Sequence, residues 1–176
     1  ATFFNEGIVA HVTMGDPFCQ NLSGILCEAG ENNIPGGRQL HSGGTYLAME
    51  GPAFSTRAES NLYRQWGCSI IGMTNHTEAR LAREAEIAYA SLSMVTDYDC
   101  WNQKQEEVSV EMVIENLKIN TEVANKIVYE TAKVIDTNRP ISKAHQSLQD
   151  GLMTRKERAS KDAQSKVRIF TDNYWN

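Results

Sequence analysis

The run Ile87 to Val95, small and apolar throughout, has the length and composition of a buried strand. It leads straight into Thr96-Asp97-Tyr98-Asp99-Cys100-Trp101. Open α/β sheets place their ligand crevice at strand ends, so two carboxylates standing two residues apart there are a candidate site. An extended backbone sends residues two apart to the same side, which would aim Asp97 and Asp99 at one ligand, as paired acceptors or as an acid and an acceptor. The alternative is a turn, because Asp is common where strands end and bonds to its own backbone.

The rest of the chain narrows the class. With 176 residues and 41% hydrophobic content it can bury one good core, as a single domain or a large part of one. A formal net charge of -5, with the acids spread along the chain, argues against nucleic acid and other polyanionic partners. The apolar runs are strand-sized and fall short of the ~20 residues of a membrane helix, and no signal peptide is visible. Cys19, Cys27, Cys68 and Cys100 lack C-x-x-C pairing, which suits reduced thiols in a cytoplasmic protein. His11, His41, His76 and His145 are too scattered to suggest a metal cluster, so no metal is expected. The chain begins Ala1-Thr2-Phe3-Phe4 and soon enters an apolar run, which reads as a chain entered in mid-domain.

Strands alternate with helices. Ile8 to Val12 predicts a strand, and about Asn21 to Gly30 a helix with Leu22, Ile25, Leu26 and Ala29 on one face. The Gly- and Pro-rich loop 30–37 is followed by a strand over Thr45 to Met49, stopped by Glu50-Gly51-Pro52. Thr56 and Glu59 have capping-box spacing, so a helix should run on to about Trp66. Ser69 to Met73 predicts a short strand, Glu78 to Glu86 a helix, and the segment after Ser109 a long helix with Val113, Leu117, Val123, Ile127 and Val134 recurring at helical spacing. Beyond Pro140, Lys143 to Met153 and Ala159 to Phe170 read as helical. The expected class is α/β, a layered mixed sheet flanked by helices.

The other strand ends also offer binding groups. In Glu50-Gly51-Pro52-Ala53-Phe54-Ser55, a flat apolar ring stands beside a hydroxyl, which suits a planar heterocycle; a core Phe beside a capping serine is the plainer possibility. After the third strand, Gly72-Met73-Thr74-Asn75-His76-Thr77 brings backbone donors and a hydroxyl to a helix start, a setting for an anion or sugar hydroxyls, or an ordinary turn capped by Asn75 or Thr77.

Taken in order, VAHVTMGDPFC, GTYLAMEGPAFSTRAES, SIIGMTNHTEARLAREAEI and YASLSMVTDYDCW resemble the carboxy-terminal half of the 5'-methylthioadenosine phosphorylases, trimeric members of the purine nucleoside phosphorylase family. The resemblance is strong from Val9 to Met112 and looser beyond Ile135. It implies a phosphorylase/hydrolase-like fold, incomplete in this chain, with 1–176 forming a portion of one domain. It also implies cytoplasmic cleavage of methylthioadenosine by inorganic phosphate, as co-substrate and without a cofactor, to adenine and 5-methylthioribose 1-phosphate.

Guanine- and hypoxanthine-specific members of that family have Glu after the GP-x-F phenylalanine and Asn at the place of Asp97. Here Ser55 and Asp97 occupy those places, with Asp99 where those relatives have an apolar residue. A 6-aminopurine presents an N–H donor and the N7 acceptor; an ionised carboxylate only accepts, whereas a protonated one also donates. A desolvated carboxyl keeps its proton more readily, so Asp97 is expected to give one to N7, with Asp99 remaining an acceptor. By the same resemblance Phe54 lines the base, Met73 lies against the ribose, Thr74 contacts phosphate, and Val110 and Val113 wall the methylthio group. An apolar wall favours a thioether over a 5'-hydroxyl. His11 matches a histidine that reaches the 5' end of the substrate in a neighbouring subunit; as a lone residue it equally suits a buried strand histidine bonded to backbone.

Some positions depart from the family. Thr77 stands where Pro is usual before Glu78, the loop 30–43 is longer than in animal members, and the tail 152–176 diverges. The family's amino-terminal half supplies most phosphate-binding groups. Its absence predicts that the chain works with a complementary polypeptide, as a trimer of heterodimers. A non-catalytic nucleoside-binding subunit, a hydrolytic relative, and a phosphorylase for methylthioinosine or adenosine are the competing readings.

Overall fold

The computed structural model describes residues 1–102 and 110–175, with backbone only for Val110 and Met112. Among the described residues the elements of regular α or β structure are α1 (Gln20–Asn33), β1 (Tyr46–Ala48), α2 (Arg57–Gln65), β2 (Ile70–Gly72), α3 (Asn75–Glu84), α4 (Val110–Asn138) and α5 (Lys161–Thr171), with short 3-10 turns at Lys143–Gln146 and Lys156–Arg158. The chain divides into two compact units, one built from Ala1–Ser23, His76–Ser91 and Pro140–Asn176, the other from Gly24–Asn75 and Leu92–Arg139.

The first unit is held by an apolar core of Phe4, Ile8, Leu148, Ala159, Ala163, Val167 and Trp175. In α5 the buried residues Ala163, Val167 and Thr171 recur every four, and the Ser160 hydroxyl caps the helix by accepting from Ala163 N at 3.1 Å. Ile8 is buried, yet Ile8 to Val12 is not a strand. It makes one antiparallel bridge, Ala10 to Leu152, flanked by His11 N to Gly151 O and Met153 N to Val9 O. Lys143 to Met153 forms a 3-10 turn capped by the Ser142 hydroxyl, then further turns rather than a helix, because Gly151 O and Met153 N bond across to His11 N and Val9 O instead of within their own segment. α3 starts at Asn75, three residues ahead of the expected Glu78.

In the second unit β1 and β2 pair in parallel, Tyr46 with Ile70, Leu47 with Ile71 and Ala48 with Gly72. The α/β class stands, with a sheet that is parallel and two-stranded among the described residues. Ile87 to Val95 contains no strand: Ile87 is 58% and Val95 57% exposed. Apolar composition alone cannot make a strand, whose N–H and C=O groups need a neighbouring ladder. Asn120 Nδ2 instead donates to Val95 O at 3.0 Å. α4 forms as expected, with Ile127 buried and Val113, Val123 and Val134 half-buried, although Leu117 is exposed. Pro140, which lacks an N–H, follows its end.

Candidate active site

Parallel pairing sends the residues after β1 and those after β2 to the same sheet edge. After β1, Met49 N still bonds to Gly72 O at 2.9 Å, and then Gly51 turns the chain at φ 70°. A Cβ built on Gly51 would stand 2.8 Å from the Met73 Sδ, so the absent side chain is what lets Met73 lie against this turn. Met73 and Thr74 are both exposed just ahead of α3.

Phe54 is 86% exposed, which removes the core-packing possibility and leaves its ring free to meet a ligand. Ser55 is half-buried; its hydroxyl donates to the Met49 thioether at 3.5 Å and its carbonyl accepts from Cys100 Sγ at 3.4 Å. The cap of α2 is Thr56, not Ser55. Thr56 Oγ1 accepts from Glu59 N at 3.3 Å, and the Glu59 carboxylate accepts from Thr56 N at 2.7 Å. The bond from the Thr56 backbone first, and then one from the Thr56 hydroxyl to the same carboxylate oxygen at 2.7 Å, hold the Glu59 carboxyl below its usual range.

The Ser55 to Cys100 contact ties the first strand-end loop to the aspartates. Asp97 Oδ1 accepts from Asp99 N at 2.9 Å and Asp97 Oδ2 from the Thr96 hydroxyl at 2.7 Å. Asp99 Oδ1 accepts from Cys100 N, and Asp99 Oδ2 from the hydroxyl of buried Ser60, both at 2.7 Å. Asp99 sits at φ 58°, in left-handed backbone. The carboxylates are therefore joined through a turn in which Asp97 bonds the main chain two residues on, and the extended geometry expected for the pair is absent. An L residue at positive φ cannot continue a strand. The turn possibility is the one that forms: the Asp97 side chain bonds the Asp99 backbone, and the Asp99 side chain bonds Cys100 and Ser60.

Asn116 Nδ2 donates to Thr96 O at 3.2 Å, which sets α4 beside this loop, and half-buried Val113 lies three residues earlier on the same helical face. The Val110 side chain lies outside the described ones. His11 belongs to the other unit; its imidazole is exposed and its backbone N–H donates to Gly151 O at 2.7 Å, so it is not a buried strand histidine. The structure thus joins Asp97 to the Asp99 backbone, ties Ser55 to the same loop through Cys100, and puts Met73, Thr74 and Phe54 at the same sheet edge.

Residues 1–133 match the model of the phosphorylase superfamily. The chain belongs to that superfamily. Within it, this member is 64% identical to the S-methyl-5'-thioadenosine phosphorylase of Prochlorococcus marinus over 99% of its own length, and spans 55% of that protein. Among solved superfamily structures, a methylthioadenosine phosphorylase from an antarctic soil metagenomic library shares 44% identity at a TM-score of 0.90, covering 96% of this chain and 59% of that one. The Schistosoma mansoni methylthioadenosine phosphorylase in complex with adenine is 29% identical at a TM-score of 0.73, covering 86% of this chain and 60% of that one. This superfamily member therefore spans little more than half the length of those relatives.

Ser60, Arg57 and Arg64 hold the loop that follows Asp97, and no single-residue signal marks them. Arg57 Nη1 donates to Cys100 O at 2.6 Å, and the Arg64 guanidinium lies over the Trp101 ring. The signal that finds them is their spacing, i, i+3 and i+7, which places three polar residues on one face of a helix opening at the GP-x-F turn.

Proposed function

We propose that this chain carries the nucleoside-binding half of a phosphorylase that cleaves 5'-methylthioadenosine with inorganic phosphate to adenine and 5-methylthioribose 1-phosphate, without a cofactor. The observation that carries the reading is the clasp of Asp97 and Asp99 beside Ser55, a carboxyl pair set against the loop bearing an exposed Phe54 ring. An adenine stacked on Phe54 meets an acceptor for its amino group and a proton source for N7.

In the reaction, Asp97 gives its proton to N7 as the glycosidic bond breaks toward the base, and a phosphate oxygen bonds to the anomeric carbon. Such positioned donation supplies ~10²–10⁴-fold. Asp99 stays an acceptor; Met73 packs on the ribose, Thr74 takes phosphate, and Val110 with Val113 wall the methylthio group. His11 reaches the 5' end in a neighbouring subunit.

The names of the similar proteins support the substrate: S-methyl-5'-thioadenosine phosphorylase in Prochlorococcus, and a Schistosoma enzyme in complex with adenine. Exposed apolar residues, Ile87 and Val95 in the strandless run and Ile114, Leu117, Val128 and Tyr129 on α4, support assembly with a complementary polypeptide carrying the amino-terminal half, as a trimer of heterodimers. Four free cysteines suit the cytoplasm, and no described helix is long and apolar enough to cross a membrane.

The test is adenine release from methylthioadenosine by the protein with its native partners, with and without phosphate. Strictly phosphate-dependent release, itself lost in Asp97→Asn, supports the phosphorylase. Release without phosphate makes it a hydrolase, and no release a nucleoside-binding subunit.

A further inference from the structure

We infer that Ser60 is a positioning residue for Asp97, acting through Asp99 to fix which carboxyl oxygen carries the transferred proton; this rests on the reading of Asp97 as the donor to N7. Ser60 is 2% exposed on α2 and its hydroxyl donates to Asp99 Oδ2 at 2.7 Å. Cys100 N holds the other oxygen at 2.7 Å, so the Asp99 side chain is braced at both atoms. That brace holds a residue at φ 58°, a conformation L side chains resist. In this conformation the Asp99 N–H reaches Asp97 Oδ1 at 2.9 Å.

A backbone N–H only donates, so the oxygen that faces it must remain an acceptor in both protonation states. The Thr96 hydroxyl, 2.7 Å from Asp97 Oδ2, can rotate to donate or accept. The proton is thereby confined to Oδ2, and the acid presents it in one direction. Ser60 acts at a distance of two bonds and touches no base.

The same helix face grips the loop at two further points. Arg57 Nη1 bonds Cys100 O at 2.6 Å, and the Arg64 guanidinium stacks 3.7 Å from the Trp101 centroid. Three successive loop residues, Asp99, Cys100 and Trp101, are thus held by three residues of α2. The start of α2 is itself fixed by the Thr56 cap, directly after Phe54 and Ser55. A single rigid helix therefore sets the distance between the base-stacking ring and the proton donor.

The experiment compares binding of adenine with that of 7-deazaadenine, which lacks the N7 acceptor, by calorimetry on the full chain with its native partners. Wild type should prefer adenine by about tenfold, the worth of one hydrogen bond. Asp97→Ala should abolish the preference. Ser60→Ala should reduce it to within about twofold while leaving 7-deazaadenine affinity unchanged, a loss confined to N7 that misfolding would not produce. Ser60→Cys, which keeps the volume and a weak donor, should fall between. If Asp97→Ala abolishes the preference but Ser60→Ala retains it, the positioning role is overturned and the donor reading stands. If wild type has no preference, or Asp97→Ala keeps it, the donor reading falls and takes this role with it. If both Ser60 variants lose both ligands, Ser60 is structural only and the inference is overturned.

Discussion

The Arg64 guanidinium carbon lies 3.7 Å from the centre of the Trp101 ring, and Tyr98 meets that ring edge-on with centroids 5.9 Å apart. Trp101 is thereby fixed two residues beyond Asp99. A cation over an indole face at an exposed site is worth about 0.5–1 kcal/mol. Arg64→Gln should cost about that much stability and raise acrylamide quenching of Trp101, isolated by difference from a Trp101→Phe protein. Arg64→Lys should recover only part of the protection, since an ammonium cannot stack flat on the ring.

Gly51 occupies a place where a side chain meets two obstacles. Its φ of 70° is unfavourable for an L residue, and a Cβ there would press to 2.8 Å from the Met73 Sδ. The thioether is flexible and can yield, but it would then leave the surface proposed to face the ribose. Gly51→Ala should destabilise the chain by about 1–2 kcal/mol in urea titrations, and should weaken methylthioadenosine more than free adenine. Equal loss for both ligands would show that Met73 does not face the sugar.

The capping box at the start of α2 gives an acid-sensitive step. Thr56→Ala removes the acceptor for Glu59 N and should cost about 1 kcal/mol. Because the folded protein holds the Glu59 carboxyl below its usual range, the contribution of that carboxylate is present above the unfolded value of 4.5 and is lost as pH falls through the lower folded value. Wild type and Glu59→Gln should therefore converge in stability on acidification below about 4.5, as followed by chemical denaturation across that range. A stability difference that does not change with pH there would rule out the carboxylate as the source.

Where the deciding interaction is local, the fold is legible in the residues. The Thr56 to Glu59 capping box, the Gly51-Pro52 stop after β1 and the apolar spacing of α4 each act within a few residues. Ile87 to Val95 and Ile8 to Val12 have strand composition, but a strand depends on what lies alongside it, and the bridge that Ala10 finds is to Leu152, far along the chain. In the site, Phe54, Ser55, Asp97 and Asp99 stand out by residue type and position. Ser60 does not, because its partner Asp99 is 39 residues away and only folding brings them together. The left-handed backbone of Asp99 is equally hidden, since Asp tolerates that conformation without requiring it.

A second pH-dependent step lies in the other unit, at the end of α3. Glu86, at φ 57°, accepts with one carboxylate oxygen from Leu148 N at 2.9 Å and from the Tyr174 hydroxyl at 2.6 Å. The Glu86 side chain thus fastens two parts of the tail. Burial first, and then the bond to the Glu86 carboxylate, push the Tyr174 phenol up from 10.0 to about 12. A phenol whose folded value is raised contributes stability fully present below the unfolded value and lost as pH rises toward the folded one. The tail should therefore loosen between pH 10 and about 12. Phenolate absorbance should resolve one tyrosine titrating late, and it should disappear in Tyr174→Phe. Glu86→Gly relieves the left-handed backbone but removes the shared acceptor, so it should bring the Tyr174 titration part of the way down from about 12, with burial still holding it above 10.0, and speed proteolysis of the tail. If the Tyr174 titration stays at about 12 in Glu86→Gly, burial alone sustains it and the carboxylate does not fasten the tail.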